Sequence, residues 1–523
     1  MTRSAAPGSA LIGASDVDLA QAAQAALADR LTTAAVHLLP GAAPAAGDDP
    51  AGTVADLLEA AVRALAPRPD NDRIWLLLTA VAAAFPSRGQ VDRTRRKLQL
   101  RSERAAVLSV LADTLELAAE AGDLTAPIDV VDRAVVVDVD HTAKYDLHTG
   151  IQRVSRSLMP IWTADHGVVP AAWTAQSGAL RHLFPAELAR VVEWSGIAAG
   201  PEAEFGRPLG ELVATRLLVP WRSVLVLVEV PPAAACDRLA AFGSYSGNRL
   251  VAVAHDAIPV VSADMVPTED TSKFVRFLTA IKFASRVAGV SASAASEIAG
   301  FAAALPTQGL VGPTVVEVPL GAPDVIPDVP AVDAAVPGRA PAPTVLVVGS
   351  HEPRKNHLAV LHAAELLWRE GEEFELVFIG GSGWGDEFPR RAAELRQAGR
   401  SITVRRAVTD DELNAAYAAA RFTVFPSLHE GFGLPVVESI AHGTPVITSD
   451  FGSTAESGAA GGTILIDPRD DEALTSAMRT LLTDDEVLRQ LREQIAARPE
   501  RTWKDYADDL WEQLVEPERQ VTQ

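Results

Sequence analysis

The sequence is poor in cysteine, in long apolar runs and in aromatic residues. Cys236 is the single cysteine among 523 residues, so no internal disulfide can form and a reducing compartment is expected. No uninterrupted apolar stretch approaches the roughly 18 residues that a membrane-spanning helix needs. Residues 1–13 lack the basic and apolar segments of a signal peptide. We therefore expect a cytoplasmic protein without a transmembrane segment.

Positive charge is also scarce. The 68 acidic residues outnumber the 46 basic ones, and the formal net charge is −22. Because nucleic-acid binding needs a basic surface, nucleic acid is not an expected partner. Residues 93–104 carry a local basic run that would suit lipid head groups at the inner face of a membrane, or an acidic protein. Its alternative is an ordinary solvated helix face.

The first quarter of the chain is rich in alanine and leucine, which favour helix. Helical periodicity is present at Asp16–Leu39, Thr53–Leu65, Asp72–Ala84 and Val91–Ala121. We predict that residues 1–130 form a helical N-terminal extension. Its helices would serve in packing, in dimerisation or in the recruitment of a protein partner.

Apolar strands alternate with helical segments through the rest of the chain, which predicts an α/β protein with parallel sheets. Two Rossmann-like domains are expected, at residues 131–325 and at residues 344–500. Residues 326–343 are rich in proline and alanine without periodicity and are the predicted linker. Residues 501–523 are predicted to form a final amphipathic helix.

One segment, Phe422–Asp450, carries most of the functional information. It reads as a buried strand, a glycine-containing loop, a short helix and a second strand, and ligands of open α/β sheets lie at such loops. Gly431 and Gly433 would let the backbone approach a ligand, and the helix start behind them favours phosphate. Glu430 and Glu438 flank this cradle and would accept hydrogen bonds from sugar hydroxyls. The pattern indicates a nucleotide sugar, and the alternative is two solvated carboxylates.

The segment EGFGLPVVE, residues 430–438, resembles the E-x7-E signature of retaining, GT-B-fold glycosyltransferases of family 4. The resemblance implies two Rossmann-like domains that face a cleft, with the donor on the second domain and the acceptor on the first. It places Glu430 against the donor sugar and Glu438 against the ribose hydroxyls. The backbone at Phe432, Gly433 and Leu434 would meet the sugar and the phosphates. The C-terminal helix would cross back onto the first domain.

Other loops fit the same resemblance. Gly150 follows the first strand of the first α/β domain and would lie near the donor diphosphate. His255 and Asp256 follow a later strand; the histidine would donate to a sugar hydroxyl and the aspartate would bind or orient an acceptor hydroxyl. The alternative for His255 is a hydrogen bond to a neighbouring carbonyl. Val408 lies where the family places the backbone that contacts the base.

Two cations, Arg354 and Lys355, precede a predicted helix at Leu358–Arg369. Cations are unfavourable at a helix start unless an anion occupies the site. We therefore predict that this pair neutralises the donor diphosphate and helps the nucleotide to leave. The alternative is that both are exposed charges that serve solubility.

An Asp-x-Asp pair, Asp138 and Asp140, would suggest a divalent cation in the other glycosyltransferase fold, GT-A. The same spacing recurs at Asp16 and Asp18 in a helical stretch, so the pattern is weak. We favour an enzyme that requires no metal and no cofactor other than its nucleotide-sugar donor.

These motifs predict a retaining hexosyltransferase that moves a hexose from a nucleotide-diphosphate sugar to a sugar hydroxyl of a glycan or glycolipid. The segments TGIQRV and HDAIP resemble those of bacterial enzymes of cell-surface polysaccharide synthesis. This likeness suggests GDP-mannose or dTDP-rhamnose as the donor, with a UDP-sugar as a further candidate. The alternatives are a sugar-nucleotide epimerase, which would act without an acceptor, and a non-catalytic scaffold subunit.

Overall fold

A computed structural model of the chain describes residues 16–39, 49–146, 149–194, 215–322 and 342–522. One prediction lies entirely outside these residues and another lies mostly outside them. They are the linker, of which residues 342 and 343 alone are described, and the absence of a signal peptide at residues 1–13.

The described residues contain two β-sheets. The first sheet contains nine strands, namely β1 (Ile128–Asp132), β2 (Val135–Asp138), β3 (Val169–Trp173), β4 (Leu180–His182), β5 (Leu217–Trp221), β6 (Val224–Leu227), β7 (Arg249–Ala254), β8 (Arg286–Gly289) and β9 (Thr314–Glu317). The second contains six, namely β10 (Thr344–Val348), β11 (Glu375–Ile379), β12 (Ile402–Arg405), β13 (Phe422–Phe425), β14 (Val446–Ser449) and β15 (Thr463–Ile466).

Helices surround both sheets. Those of the first half are α1 (Asp16–Leu38), α2 (Pro50–Leu65), α3 (Asn71–Ala82), α4 (Arg88–Leu100), α5 (Glu103–Ala121), α6 (Asp140–Lys144), α7 (Gly150–His166), α8 (Pro185–Val192), α9 (Cys236–Tyr245), α10 (Ile258–Val261), α11 (Thr268–Ile281) and α12 (Ala292–Ala304). Those of the second half are α13 (His357–Glu370), α14 (Glu387–Gln397), α15 (Asp410–Ala419), α16 (Leu434–Ala441), α17 (Gly452–Gly458), α18 (Asp471–Thr483), α19 (Asp485–Ala496), α20 (Trp503–Leu510) and α21 (Glu516–Thr522).

The second sheet has the strand order of a dinucleotide-binding Rossmann fold. Its order is β12-β11-β10-β13-β14-β15, and all of its strand pairs are parallel. Numbered within the sheet, this order is 3-2-1-4-5-6, which reverses direction between β10 and β13. Ligands of such sheets lie at the carboxyl ends of the strands beside that reversal.

The first sheet has the order β1-β5-β4-β3-β2-β6-β7-β8-β9. Its strands are parallel except β4, which is antiparallel to both β3 and β5. Its own reversal lies between β2 and β6. The predicted α/β class, with two Rossmann-like units and an N-terminal helical region, is confirmed.

The N-terminal helices pack on one face of the first sheet and share its hydrophobic core. Trp75 of α3 contacts Phe85 and Phe242, and Phe85 contacts Trp173 of β3, with ring centroids 5.0 to 6.0 Å apart. The buried guanidinium of Arg30 donates to the carbonyls of Ala80, Leu124 and Ala126, which ties α1 to the start of the sheet. This helical region is therefore continuous with the first α/β unit.

One local prediction was wrong. The helix predicted over Val91–Ala121 is two helices, because Arg101 and Ser102 have extended backbone and Ser102 lies at the N-cap of α5, a position that serine favours. Helix α12 is capped by Ser291, whose hydroxyl accepts from the Ala294 N–H at 3.0 Å.

The C-terminal tail packs on the opposite face of the first sheet. Tyr506, Leu510 and Leu514 join the cluster formed by α7 and the strands, and the Trp162 indole donates to the Ala507 carbonyl at 3.0 Å. The tail, which follows the second unit in the chain, thus packs on the first unit.

Candidate active site

The loops after β10 and β13, the two strands at the reversal of the second sheet, meet in a buried charge cluster. Lys355 Nζ donates to Glu430 Oε1 at 2.6 Å, and Arg354 Nη1 lies 2.9 Å from the same oxygen. The Ser427 hydroxyl also donates to that oxygen, at 2.5 Å. Lys355 is 8% exposed and its ammonium lies 4.8 Å from the centroid of the Phe425 ring. The alternative of exposed solubility charges does not fit this geometry.

The cluster controls the protonation of its members. Burial would raise the pKa of Glu430, but the charges of Lys355 and Arg354 outweigh burial and lower it to about 2. Burial lowers the pKa of Lys355, and the charge of Glu430 opposes this change. The pKa of Arg354 rises, because Glu430 and Glu352 outweigh its burial. The carboxylate is therefore ionised at neutral pH, and it lies between the buried Lys355 and the half-buried Arg354.

The glycine loop of the second unit touches the first unit at the predicted acceptor residues. A Cβ atom on Gly431 would lie 1.8 Å from the His255 carbonyl oxygen and 3.1 Å from Asp256 Cβ. No other residue fits this approach. Burial raises the pKa of Asp256 to about 6, and the charge of Arg354 opposes this rise. The predicted donor loop and the predicted acceptor loop are therefore in direct contact.

The imidazole of His255 forms a hydrogen bond within the first unit. Nε2 lies 2.9 Å from the Val228 carbonyl, and burial lowers the pKa of the ring, so the neutral ring donates this proton to the carbonyl. Only Nδ1 is left for a ligand, and in this tautomer it accepts. Donation from His255 to a sugar hydroxyl therefore does not fit the structure, and the alternative of a carbonyl-bonded histidine does.

Gly150 lies across the cleft from the same loop. A Cβ atom on Gly150 would lie 3.7 Å from Leu434 Cδ1. Gly433 has φ +90°, which favours glycine, and it occupies the N-cap of α16. The side chains of Phe432 and Leu434 pack on the core of the first unit. The glycine loop is thus held between the two units.

Glu438 lies one turn further along α16 and is 4% exposed. It accepts from the Tyr417 hydroxyl at 2.8 Å and forms an ion pair with Arg153 of α7, which comes from the first unit. Arg153 and Glu438 line a cavity of about 250 Å³ together with Trp194 and Asn414. Val408, the predicted base-contacting position, packs beside Tyr417 in a small apolar cluster.

The Asp-x-Asp pair has structural partners. The Trp173 indole donates to Asp138 Oδ2 at 2.8 Å, and the Trp173 N–H donates to Asp140 Oδ1 at 2.7 Å. Lys144 Nζ lies 2.7 Å from Asp140 Oδ1. Burial raises the pKa of Asp138. Within the part of the chain that the structure describes, no group of three or more His, Cys, Asp or Glu side chains could hold a metal ion.

A cavity of about 510 Å³ opens beside Glu430 between the two units. Its wall includes Glu297 of α12, His429 and Glu456, none of which the motifs identified. Glu456 accepts from the N–H groups of Ala292 and Ser293, each at 2.9 Å, so a carboxylate of the second unit occupies the start of α12. Of these three residues, His429 alone carries a sequence signal, which is its position next to Glu430.

None of the described helices is long and apolar enough to cross a membrane. In the basic run, Arg95 pairs with Asp92 and Lys97 pairs with Asp113. Leu100, at the end of α4, is 85% exposed.

The family model and the curated relatives that match this chain are described as glycosyltransferases or mannosyltransferases. A family model described as Glycosyl transferases group 1 matches residues 334–498. The serotype-specific mannosyltransferase WbdA of Escherichia coli is 29% identical over 338 residues, which are 61% of this chain and 38% of that protein. The O-antigen chain mannosyltransferase B of Escherichia coli is 36% identical over 141 residues, which are 27% of this chain and 37% of that protein.

This chain thus spans less than two fifths of the length of these two relatives. Among solved structures, sucrose-phosphate synthase from Thermosynechococcus elongatus aligns with a TM-score of 0.48 at 18% identity, over 74% of this chain and 98% of that one. The predicted resemblance to glycosyltransferases is confirmed, whereas retention of configuration and membership of family 4 stay predictions. The match to the family described as Glycosyl transferases group 1 thus covers residues 334–498, about the last third of this chain.

Proposed function

We propose that this protein transfers a hexose, with retention of configuration, from a nucleotide-diphosphate sugar to a hydroxyl of a glycan or glycolipid. Mannose is the first candidate, because the names of the curated relatives describe mannosyltransferases. GDP-mannose is therefore the first donor to test, followed by dTDP-rhamnose and a UDP-sugar. Cell-surface polysaccharide synthesis is the proposed setting.

The observation that carries this proposal is the buried cluster of Lys355, Arg354 and Glu430 at the reversal of the second sheet. Two cations held in a buried site suit a diphosphate, because charge-assisted hydrogen bonds to phosphate are strong there. The start of α16 adds the positive end of a helix dipole. Glu438 lies on the same helix, where it can accept from ribose hydroxyls.

This placement supports a transfer on one face of the sugar. The bond between the sugar C1 and the leaving phosphate oxygen breaks, and a bond from C1 to the acceptor oxygen forms on the same face. The acceptor proton passes to the leaving diphosphate, whose negative charge Lys355 and Arg354 stabilise. Asp256 orients the acceptor hydroxyl from the first unit. No metal and no further cofactor is needed in this scheme, and EDTA should leave turnover unchanged.

The test is a donor panel. Each of the three nucleotide sugars is incubated with and without a mannose-terminated oligosaccharide, and proton NMR follows nucleotide release and the anomeric configuration of the product. Retained configuration in an acceptor-dependent reaction is expected. Conversion of a donor without acceptor would indicate the epimerase alternative, and failure to bind any nucleotide sugar would indicate the scaffold alternative.

Lys355→Ala is the matching variant and Lys282→Ala is its control. Lys282 Nζ also lies over a phenylalanine ring, 5.3 Å from the Phe283 centroid, but it precedes β8, whereas the cavity-lining helix α12 follows that strand. Loss of transfer in the first variant and not in the second is expected.

We also propose that the protein is cytoplasmic and associates peripherally with a membrane through the surface around the junction of α4 and α5. The side chains of Arg93, Arg96, Arg101 and Arg104 are exposed there, next to the exposed Leu100. Basic side chains with an apolar neighbour suit anionic lipid.

A further inference from the structure

A hydrogen-bonded chain of three side chains crosses the cleft next to the charge cluster. His429 Nε2 lies 2.6 Å from Glu297 Oε1, and His429 Nδ1 lies 2.7 Å from the Ser262 hydroxyl. His429 belongs to the second unit, whereas Glu297 and Ser262 belong to the first. The side chains of His429 and Glu297 are only 15% and 16% exposed.

The carboxylate of Glu297 uses both of its oxygens. While Oε1 bonds to His429, Oε2 accepts from the Ala257 N–H at 2.6 Å. Ala257 directly follows Asp256, and His429 directly precedes Glu430. One side chain of α12 therefore holds both loops that carry the proposed acceptor and donor residues.

The backbone of His429 is also bonded to the charge cluster of the second unit. Its carbonyl accepts from Arg354 Nη1 at 3.1 Å, so the histidine links Glu297 to the diphosphate cluster. The next link is at Gly431, whose carbonyl accepts from the Ser291 hydroxyl at 2.6 Å. These bonds leave the Glu430 loop little freedom to move relative to α12.

We propose that Glu297 is a positioning residue that holds the Asp256 loop and the Glu430 loop at one spacing across the cleft, acting through His429. This inference rests on the proposed glycosyl transfer, in which donor and acceptor must approach on one face. Displacement of about 1 Å between reacting groups can cost about 100-fold in rate.

The arrangement works in both protonation states of the imidazole. A protonated ring donates from both nitrogens, to Glu297 and to Ser262. A neutral ring keeps its proton on Nε2 and donates it to Glu297. Its Nδ1 then accepts from Ser262, because the serine hydroxyl can turn from acceptor to donor. The bond to Glu297 raises the pKa of His429 despite burial, and the charges of Asp256 and Glu430 act in the same direction.

The conservative variant keeps the geometry. In Glu297→Gln the amide oxygen can accept from Ala257 N–H, and the amide nitrogen can donate to Nε2 of a neutral ring, whose Nδ1 proton then goes to Ser262. We therefore expect Glu297→Gln to retain most of the wild-type kcat above the pKa of His429. Glu297→Ala, which breaks both bonds, should lower kcat about 10- to 100-fold with a much smaller change in the donor KM.

Two controls separate positioning from simple stabilisation. Glu365→Ala removes another bonded carboxylate, which accepts from Arg400 and Arg369 at 2.7 Å each within the second unit and away from the cleft. It should lower Tm while leaving kcat unchanged. The double variant Glu297→Ala/His429→Ala should lose no more kcat than the more impaired single variant, because the two residues act as one unit.

The measurement is kcat and KM with the donor that the wild type accepts, with donor hydrolysis recorded without acceptor and the pKa of His429 followed by NMR. A raised ratio of hydrolysis to transfer, a lower pKa of His429 in Glu297→Ala and rescue by glutamine are expected. Unchanged kcat in Glu297→Ala, with only a loss of Tm like that of Glu365→Ala, would overturn the inference. If the wild type transfers no sugar, the proposed function fails instead, and an unchanged His429 pKa in Glu297→Ala would still overturn the contact itself.

Discussion

Replacing Glu430 by glutamine tests the charge cluster most sharply, because this carboxylate neutralises two buried cations. Lys355 and Arg354 both bond to Glu430 Oε1, at 2.6 and 2.9 Å, and Lys355 is 8% exposed. Glutamine keeps the size of the side chain and one oxygen, but it removes the negative charge. The two cations would then face each other in a buried site.

The ion pairs of Glu430 set the size of the expected loss of stability. Burial would raise the pKa of Glu430, yet Lys355 and Arg354 lower it from 4.5 to about 2. At about 1.4 kcal/mol for each tenfold change in acidity, folding favours the ionised form by about 3 kcal/mol. Removing one partner of a buried ion pair costs about 3–5 kcal/mol. A loss of about 3 kcal/mol corresponds to a Tm lower by roughly 6–12 °C for a unit of this size.

A diphosphate should reverse much of this loss, because it returns negative charge to the same cations. The assay is thermal unfolding of wild type and Glu430→Gln with and without saturating GDP, together with transfer activity. We expect a larger rise in Tm on adding GDP to Glu430→Gln than to wild type, and no transfer by the variant. Equal rises in the two proteins, or an unchanged Tm without ligand, would refute the assigned role of the cluster.

Four further predictions follow from the same contacts. Lys355→Ala should weaken binding of a nucleoside diphosphate far more than binding of the nucleoside, as measured by calorimetry; equal losses would contradict a phosphate contact. Glu438→Gln should reduce the preference for a ribonucleotide over its 2′-deoxy analogue, and an unaltered preference would place the ribose elsewhere. Because the folded pKa of Glu430 lies below its unfolded value, its stabilisation is complete above about pH 4.5 and disappears as the pH falls toward 2, so the acid unfolding of Glu430→Gln should be shallower than that of wild type. Replacing Arg96, Arg101 and Arg104 by glutamine should abolish flotation with phosphatidylglycerol vesicles at low salt, whereas the same change at Arg391 and Arg396 of α14 should not; equal flotation by both variants would remove the proposed membrane surface.

The sequence predicted the second unit better than the first for a physical reason. Strands buried on both faces of a parallel sheet are continuous apolar runs, and the strand, loop, short helix and second strand predicted within Phe422–Asp450 are observed as β13, the glycine-containing loop, α16 and β14. The first sheet also contains the short β4, which is antiparallel, and β1, which lies at an edge. Such strands are set by their neighbours in space, and a sequence pattern does not reveal those neighbours.

The residues of the candidate site likewise fall into those that a local motif identifies and those that only the folded structure brings together. Glu430, Lys355 and Gly431 belong to local motifs whose residue types carry their own chemistry, so the sequence alone could identify them. Glu297 and His429 are 132 residues apart, and His429 and Ser262 are 167 residues apart. Only the packing of two folded units brings them together. His255 was assigned to the ligand by its motif, but the carbonyl of Val228 already uses its proton.

A crystal structure of the protein with a bound nucleotide sugar tests the central claim most directly. We expect the diphosphate within hydrogen-bond distance of Lys355 Nζ and Arg354, the hexose against Glu430, and the ribose at Glu438. A nucleotide sugar bound away from the loops that follow β10 and β13 would contradict it.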